Sequence, residues 1–431
     1  MTDRRKFLRE AGLLAAGTLL TPAFMKGMAE ASQKIAAMPP EQAASEEDFW
    51  SWVRENYTVA TEILNLNNGG VSPQPRPVQD VHEKYLRMCN SGPSYYMWRI
   101  LDQGREPLRT KLADLAGCDP EEIAINRNTT EALNTIIFGL NLKAGDEIIL
   151  TKQDYPNMMN AWKQRELRDG IKLVYLNLEL PPEDDKAIIK KYTDAMTDKT
   201  RLVHITHMIN WTGQIMPVKE IAKAAHAKGI DVMVDGAHTF AHIDYSISDL
   251  GCDYFGTSLH KWLCAPFGTG FLFIKKEKIK DIWTLLGNDH TEFVEKQKIE
   301  TDIRKFENLG TRSFPAEMAV DAAIDFHLAI GPKRKEERLR YLRNYWVNQV
   351  KDIPGVTINT PLKPGTSCAI ANFSISNKKT EDVDTVLWKY KIHTVGINRE
   401  NIHGTRVTPH VYTSVKDLDR LVKAIKEAAT A

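Results

Sequence analysis

The sequence lacks the features that mark disulfide-stapled, metal-binding, nucleic-acid-binding or membrane-spanning proteins. It holds five cysteines in 431 residues, and their odd number and spacing suit neither a disulfide framework nor a zinc site. The formal net charge is +1, which gives no reason to expect a nucleic-acid partner. No apolar run is long enough to span a bilayer, so we expect no stable membrane association. Repeats and low-complexity tracts are absent too.

The overall composition is that of a globular enzyme. Hydrophobic residues make up 42% of the chain and charged residues 26%, which is enough to bury a large core, most simply as two domains.

The N-terminus has the pattern of a twin-arginine export signal. Arg4 and Arg5 precede an apolar run at residues 11–20, and Ala29-Glu30-Ala31 is a small-residue cleavage pattern. We therefore expect export by the twin-arginine machinery and a periplasmic protein. The alternative is that these residues form an amphipathic first helix of the fold.

Short apolar runs alternate with helix-like segments from about Ile123 onward, roughly 20 to 30 residues apart. The alternation predicts βαβ units and an α/β fold, with a mainly parallel sheet flanked by helices. Ligands of such sheets bind at the carboxyl ends of the strands. The runs lie at residues 147–150, 173–176, 202–205, 232–234, 254–255 and 270–274.

The pattern changes after Arg304. A long helical pattern covers about 315–350, with a charged run at 333–338 that we interpret as a solvated helix face; short strand-like pieces and a final helix follow. These features predict a smaller C-terminal α+β domain. The expected divisions are a signal peptide (1–31), a linker (32–47), a large domain (48–308) and a small domain (309–431).

Two segments that follow predicted strands carry the main chemical signal. They read V-D-G-A-H at residues 234–238 and G-T-S-L-H-K-W at residues 256–262. Together they resemble the aminotransferase class V group of pyridoxal 5′-phosphate (PLP) enzymes, above all the isopenicillin N epimerase-like branch and next the cysteine desulfurases. The resemblance covers nearly all of the chain after the linker. It implies a large PLP-binding domain with a seven-stranded sheet, and a homodimer.

The resemblance assigns the central roles to one lysine and one aspartate. Lys261 would bind the cofactor aldehyde and then serve as the base at the substrate Cα. Asp235 would pair with the pyridine nitrogen and keep it protonated, which makes the ring an electron sink.

The phosphate of the cofactor is expected at the start of a helix. In the resembled family, the segment that carries Thr129 and Thr130 holds this phosphate, because a helix N-terminus offers free N–H groups and a favourable dipole. Ser258 and His260 would add side-chain contacts. Gly310 and Thr311 resemble a segment that reaches the phosphate of the neighbouring subunit.

Three further residues match positions around the cofactor ring. Tyr155 takes the place where the family stacks a ring on the pyridine face. Asn210 and His238 match positions that hydrogen-bond the ring hydroxyl. His204 and His207 have H-x-x-H spacing, but without a carboxylate or cysteine partner we expect no metal site.

The substrate is expected on the other side of the lysine. Arg406 looks like the arginine that grips the α-carboxylate, because a planar guanidinium can bond both carboxylate oxygens at once, and Arg399 is a second candidate. Gly69 and Gly70 resemble a turn that lies over the substrate pocket, where glycine allows close approach of the backbone.

The turn at residues 398–404 departs from the cysteine desulfurases, because it contains no cysteine. A persulfide needs a thiolate there, so we reject desulfurase chemistry. The preferred function is epimerisation or racemisation of an amino acid or an amino-bearing peptide. The alternatives are transamination, decarboxylation or lyase chemistry that tailors a secreted peptide or siderophore, and a non-catalytic ligand-binding protein. The sequence leaves the substrate and the choice of outcome open.

Overall fold

The computed structural model describes residues 21–179, 181, 184–287 and 300–430. Its strands, numbered in chain order, are β1 (Leu64–Asn65), β2 (Ile123–Asn126), β3 (Glu147–Thr151), β4 (Lys172–Leu176), β5 (Thr200–Thr206), β6 (Asp231–Asp235), β7 (Tyr254–Ser258), β8 (Gly270–Ile274), β9 (Val356–Ile358), β10 (Ala371–Ile375), β11 (Ile392–His393), β12 (Val395–Arg399) and β13 (Ile402–Val407). Its α-helices are α1 (Pro22–Ser32), α2 (Pro40–Ala43), α3 (Glu47–Glu55), α4 (Arg76–Ser91), α5 (Pro93–Tyr95), α6 (Arg105–Ala116), α7 (Thr129–Gly139), α8 (Pro156–Asp169), α9 (Asp185–Ala195), α10 (Val218–His226), α11 (Ile247–Leu250), α12 (Phe314–Ile330), α13 (Pro332–Val350), α14 (Thr380–Lys389) and α15 (Val415–Thr430).

A seven-stranded sheet in the order β2-β8-β7-β6-β5-β3-β4 forms the centre of the large domain. Strands β4, β3, β5, β6 and β7 run parallel, and β8 is antiparallel to both of its neighbours. Val203 and Ile205 of β5 pack into the core on one face, while Leu202 packs on the other. Burial on both faces explains why these strands read as continuous apolar runs. The predicted α/β fold with a mainly parallel seven-stranded sheet is confirmed.

The small domain is built on a four-stranded antiparallel sheet in the order β12-β13-β10-β9. The two-stranded pairing of β1 with β11 ties the N-terminal segment to this domain. The predicted α+β character is therefore present, although one of its strands comes from far upstream.

The packing changes at a different place from the predicted boundary at 309. Helix α12 lies in the large-domain core against α4 and α6, with Phe314 and Ile324 buried. The single helix predicted over 315–350 is two helices, because Gly331, with φ +93, and Pro332 interrupt it. Small-domain packing begins with α13, whose Leu342 and Trp346 enter the second core.

The N-terminal segment is part of the folded body. In α1, the Phe24 ring lies 5.2 Å from the Trp52 ring and 5.6 Å from the Phe326 ring. The predicted cleavage pattern at residues 29–31 falls inside α1, and residues 1–20 lie outside the described part of the chain. The segment 32–47, expected as a linker, instead contains α2 and buries Ile35 and Ala43 against the core.

The charged run at 333–338 is not a solvated face. Lys335, Glu336 and Arg338 are all buried: Lys335 contacts Trp262 and Glu336 contacts Asp244, both in the large domain, while the N-terminal segment covers Arg338. Arg338 Nη1 donates to the carbonyl of Ala44 at 2.9 Å and to the carboxylate of Glu47. The helix pattern alone could not show this partner, since it lies about 290 residues upstream.

The fold brings the ends of neighbouring strands to one edge. Thr206 at the end of β5 pairs with Asp235 at the end of β6, which pairs with Gly256 of β7. The start of α7 lies at the same edge, next to Ser258. Among the helices that the structure describes, none combines the length and apolar character needed to cross a membrane.

Candidate active site

A cavity of about 230 Å³ lies at the carboxyl ends of β5, β6 and β7. Its lining includes both Lys261 and Asp235, which the sequence analysis placed at opposite sides of one cofactor ring. The lining residues are Gly70, Asn128, Thr129, Thr130, Tyr155, Met158, Thr206, Asn210, Asp235, Ala237, His238, Ser258, His260 and Lys261. Most of the predicted site residues are thus brought together.

The amine of Lys261 is shielded from solvent, and its pKa is lowered toward neutral pH. Its Nζ lies 3.3 Å from Nε2 of His238. Burial lowers the pKa of Lys261 to about 8; the charge of Asp235 opposes this shift, and that of Arg406 adds to it. The neutral amine is the form that attacks an aldehyde and accepts a proton, so both predicted roles of Lys261 are chemically available.

Asp235 sits at the floor of the cavity and is 4% exposed. Its Oδ1 accepts a hydrogen bond from the backbone N–H of Ala237 at 2.9 Å. Burial raises the pKa of Asp235, while this N–H and the charge of Lys261 act against the rise. A buried carboxylate of this kind favours a positively charged partner, which a protonated pyridine nitrogen provides.

Hydroxyl and backbone donors gather where α7 begins. Asn128 caps the helix by accepting from the N–H of Glu131 at 2.9 Å. Ser258 Oγ accepts from the N–H of Thr129 at 2.9 Å and lies 2.8 Å from the Thr129 hydroxyl. A helix N-terminus with two hydroxyls beside it is suited to a phosphate.

His260 contributes less directly than the sequence predicts. Its Nδ1 lies 3.2 Å from the carbonyl of Thr269 and must donate to it. Burial and the charge of Lys261 lower the pKa of His260. A neutral His260 therefore has no second N–H, and it can donate to a phosphate only when the anion favours ring protonation.

Arg406 is held beside the cavity by two hydrogen bonds, one to a backbone carbonyl and one to a side-chain amide oxygen. Its Nη1 donates to the carbonyl of Asn210 at 3.1 Å, and its Nη2 donates to Oδ1 of Asn67 at 2.8 Å. Burial lowers its pKa to about 10. Its buried Nε has no hydrogen-bond partner among the described residues, so a donor remains for a carboxylate.

The glycine turn lies against this arginine. A Cβ on Gly69 would stand 3.5 Å from Cζ of Arg406 and 3.2 Å from Cγ2 of Thr408. Gly70 lines the cavity itself. The absence of side chains at this turn therefore allows the guanidinium its position.

Three predicted residues lie away from the cavity of their own chain. Arg399 is exposed at the end of β12, next to the turn that leads into β13, so it is not a second carboxylate ligand in this arrangement. Gly310 and Thr311 are exposed and absent from the cavity lining. Their role in a neighbouring subunit stays a prediction.

The sequence analysis missed Thr206 and Met158 as cavity features. Thr206 Oγ1 donates to Oδ1 of Asp154 at 2.7 Å, and Asp154 Oδ2 accepts from the N–H of Thr151 at 2.7 Å. The signal was present, because Thr206 ends the strand that neighbours the one ending in Asp235.

The histidines with H-x-x-H spacing have core positions. His204 Nδ1 accepts from the indole N–H of Trp162 at 3.0 Å, and burial lowers the pKa of His207 to about 3. Among the described residues, no group of three or more His, Cys, Asp or Glu side chains is arranged to hold a metal.

The donor set fits PLP. One end of the cavity offers the N-terminus of α7 with Thr129 and Ser258, which suits a phosphate. The floor carries Asp235, which suits a protonated ring nitrogen, and Lys261 stands beside it for an aldehyde. Tyr155 lines the cavity and is 41% exposed, so much of its ring is available for stacking on a flat ligand.

Comparisons with known proteins agree with this geometry. The sequence profile of the family described as aminotransferase class-V matches residues 64–421. The isopenicillin N epimerase of Amycolatopsis lactamdurans is 30% identical over 391 residues, which are 88% of this chain and 98% of that protein. A probable cysteine desulfurase of Halalkalibacterium halodurans is 30% identical over 335 residues, 75% of this chain and 80% of that protein.

A solved structure of a C-DES mutant, with glycine covalently linked to its PLP cofactor, shares the fold. The TM-score is 0.78 at 20% identity, and the match covers 87% of this chain and 98% of that one.

Proposed function

Because the chain belongs to the aminotransferase class-V family, we propose that it is a PLP-dependent enzyme that epimerises or racemises an amino acid or an amino-bearing peptide at Cα. Pyridoxal 5′-phosphate is the cofactor of its cavity. The observation that carries the proposal is that Lys261 and Asp235 line one cavity, with a helix N-terminus at Thr129 and a buried guanidinium at Arg406 next to it.

Each residue of the site has a proposed role that follows from its charge. When bound, PLP supplies an electron sink that makes the Cα hydrogen acidic. Lys261 would hold the cofactor aldehyde and would accept the proton from the substrate Cα. Asp235 would pair with the ring nitrogen and favour its protonated form. Arg406 holds the substrate carboxylate and thereby orients the Cα–H bond toward the lysine.

Two observations favour epimerisation over sulfur transfer. The epimerase from Amycolatopsis lactamdurans matches this chain over 98% of its own length. The cavity lining contains no cysteine, and the turn at residues 398–404 contains none either. Cys264 and Cys368 are buried, and burial raises the pKa of both thiols, so neither is a ready source of thiolate.

Incubation with single-enantiomer amino acids and amino-bearing peptides in heavy water tests the proposal. Deuterium at Cα together with loss of optical purity is the expected result, and Lys261→Ala should abolish both. A keto product with pyridoxamine phosphate would indicate the transaminase alternative. Release of carbon dioxide or of a side-chain group would indicate the decarboxylase or lyase alternatives. A cofactor-loaded protein without any Cα exchange would indicate a ligand-binding protein.

We also propose export to the periplasm by the twin-arginine route. Arg4 and Arg5 with the small-residue pattern at 29–31 support it, as does the expectation that PLP is loaded before transport. Replacing both arginines by lysine should trap the protein in the cytoplasm, as measured by cell fractionation. The intact mass of the exported protein then shows whether α1 is retained. Unchanged export of the double variant would refute the proposal.

The proposed homodimer is tested by sedimentation velocity and by subunit complementation. Gly310 and Thr311 are exposed in one subunit, which suits a role in the partner's site. If Thr311 serves the neighbouring cavity, a Lys261→Ala subunit mixed with a Thr311→Ala subunit should form one intact site per dimer. A monomer at working concentrations would refute this assignment.

A further inference from the structure

Trp262, the residue after Lys261, is fully buried, and its side chain is hydrogen-bonded to His238, a residue that lines the cavity. Its indole Nε1 lies 3.4 Å from Nδ1 of His238. An indole N–H can only donate, so Nδ1 of His238 must accept and carries no proton. A neutral His238 then has its single proton on Nε2.

We propose that Trp262 is a positioning residue, whose indole N–H locks His238 in the Nε2–H tautomer so that His238 is a permanent donor into the cavity. Nε2 of His238 lies 3.3 Å from Nζ of Lys261, so the donor points at the place where the lysine meets its ligand. With Nδ1 occupied, His238 cannot serve as a base. The inference that His238 acts on the cofactor rests on the proposed function, whereas the inference about the tautomer of His238 does not.

The indole is itself held in place from both faces. The His242 ring stacks on Trp262 at 3.6 Å between centroids and 18° between planes, and the His410 ring lies 5.4 Å away at 16°. The backbone carbonyl of Trp262 accepts from Nζ of Lys335. This packing leaves the indole N–H little freedom to turn away from His238.

His242 also has a fixed tautomer. Its Nδ1 lies 2.7 Å from the carbonyl of His238 and must donate, and its Nε2 accepts from the N–H of Ala369 at 3.0 Å. Ala369 lies just before β10, so a backbone amide from the small domain supports the stack. The proton positions therefore follow from groups that can only donate or only accept.

The surroundings keep His238 neutral. Burial lowers its pKa well below the usual value, and the charges of Lys261, Arg406 and His242 act in the same direction. A doubly protonated ring would also have to present a second N–H to the indole N–H. The neutral Nε2–H form avoids that clash.

Ring-nitrogen shifts of the cofactor-free protein, labelled with ¹⁵N-histidine, test the tautomer without any assay of activity. His238→Gln identifies the resonances of His238. Above pH 8, where Lys261 is neutral and its Nζ can accept from Nε2 of His238, the expected wild-type spectrum shows a protonated Nε2 and an unprotonated Nδ1. In Trp262→Phe, which keeps an aromatic ring in the stack but removes the donor, the two nitrogens should move toward a mixture of tautomers.

Trp346→Phe is the matched control. Trp346 is equally buried, and its Nε1 has no hydrogen-bond partner among the described residues, so its replacement should leave His238 unchanged. A His238 with its proton on Nδ1, a doubly protonated His238, or an unchanged spectrum in Trp262→Phe would each overturn the proposal. If Trp262→Phe does not fold, the indole N–H resonance of Trp262 must instead move in His238→Ala, and a static resonance would overturn it.

A second readout separates this role from simple packing. Trp262→Phe should weaken PLP binding about tenfold in the wild-type background, the size expected when a buried donor loses its orientation. In the His238→Gln background the same change should have little further effect, because the residue it positions is gone. Additive losses would indicate that Trp262 acts only through packing. If the protein lacks the proposed catalytic activity, the histidine spectrum and the PLP-binding comparison still test the role of Trp262.

Discussion

Arg406 Nη2 donates to Oδ1 of Asn67 at 2.8 Å, so one hydrogen bond joins β13 of the small domain to the N-terminal glycine turn beside the cavity. The carbonyl of Asn210 holds Nη1 of the same guanidinium. Arg406 is therefore oriented before any substrate arrives, and little side-chain entropy remains to be lost on binding.

Arg406→Lys should raise KM for an α-amino acid by about 10- to 100-fold. An ammonium cannot match the planar, charge-assisted contacts of a guanidinium with a carboxylate. Binding of PLP should change little, because Arg406 lies on the substrate side. The measurement is steady-state kinetics with a cofactor titration.

Arg399→Lys is the control for that experiment, since Arg399 is exposed at the end of β12. Equal KM increases in the two variants would contradict the assignment of Arg406 as the specific carboxylate ligand.

Gly69→Ala should damage substrate binding through Arg406. The new Cβ would stand 3.2 Å from Cγ2 of Thr408, so this methyl group must give by a few tenths of an ångström, and it would lie in ordinary van der Waals contact, 3.5 Å, with Cζ of Arg406 on the same segment. We expect KM to rise about tenfold, because small misplacements of positioning groups are costly. Gly287→Ala, where no described residue lies within 4 Å of the new atom, should be silent. A normal KM in Gly69→Ala would show that the arginine tolerates the shift.

Lys261→Met should stabilise the cofactor-free protein at pH 7. The folded pKa of Lys261 is about 8 against an ordinary 10.5, so the unfolded chain binds the proton more tightly. Below about pH 8 the folded protein bears the full cost of a buried charge, about 3 kcal/mol. Between 8 and 10.5 this cost falls as pH rises, and above 10.5 it is gone.

Urea unfolding at pH 7 and pH 10 measures that difference. The variant should exceed the wild type in free energy of unfolding at pH 7, and the gap should narrow at pH 10. Lys172→Met, on an exposed strand position, controls for the exchange of residue type. A gap that is absent at pH 7, or that widens with pH, would contradict the prediction.

Glu307→Ala should destabilise the protein by about 3 kcal/mol, because it removes the buried carboxylate that Arg105 and Arg109 share, although Glu317 and Glu106 still pair with them. Glu307 receives hydrogen bonds from Arg109 and from the backbone N–H of Ile125 at 2.6 Å, and it pairs with Arg105 at 3.2 Å. Glu83→Ala removes an exposed pair and should cost little. The measurement is chemical unfolding at neutral pH, and equal losses in the two variants would contradict the reasoning.

Local sequence patterns were sufficient for the parallel sheet and for the cofactor end of the site. Strands buried on both faces must be apolar throughout, so each strand can be recognised in the sequence as a short apolar run. Ligand groups of such sheets follow the strand ends, which located Asp235, Ser258 and Lys261. The break at Gly331 and Pro332 could also have been predicted, because proline does not continue a preceding helix.

The remaining features depend on contacts between distant parts of the chain. Arg338 is buried because a segment near Ala44 covers it, and no periodicity within α13 reveals that cover. The resemblance favoured Arg406 over Arg399, and the contacts of Arg406 with Asn67 and Asn210 became visible only in the structure.

The sequence by itself thus determined the sheet, through its apolar runs, and the cofactor chemistry with most of the residues that carry it, through the resemblance of residues 234–238 and 256–262 to the aminotransferase class V group. Only the tertiary structure decided the domain boundary, the burial of the N-terminal segment, the partners of Arg406 and the proton position on His238. Each of these depends on which surfaces and donors meet in space, and that information is spread over residues hundreds of positions apart.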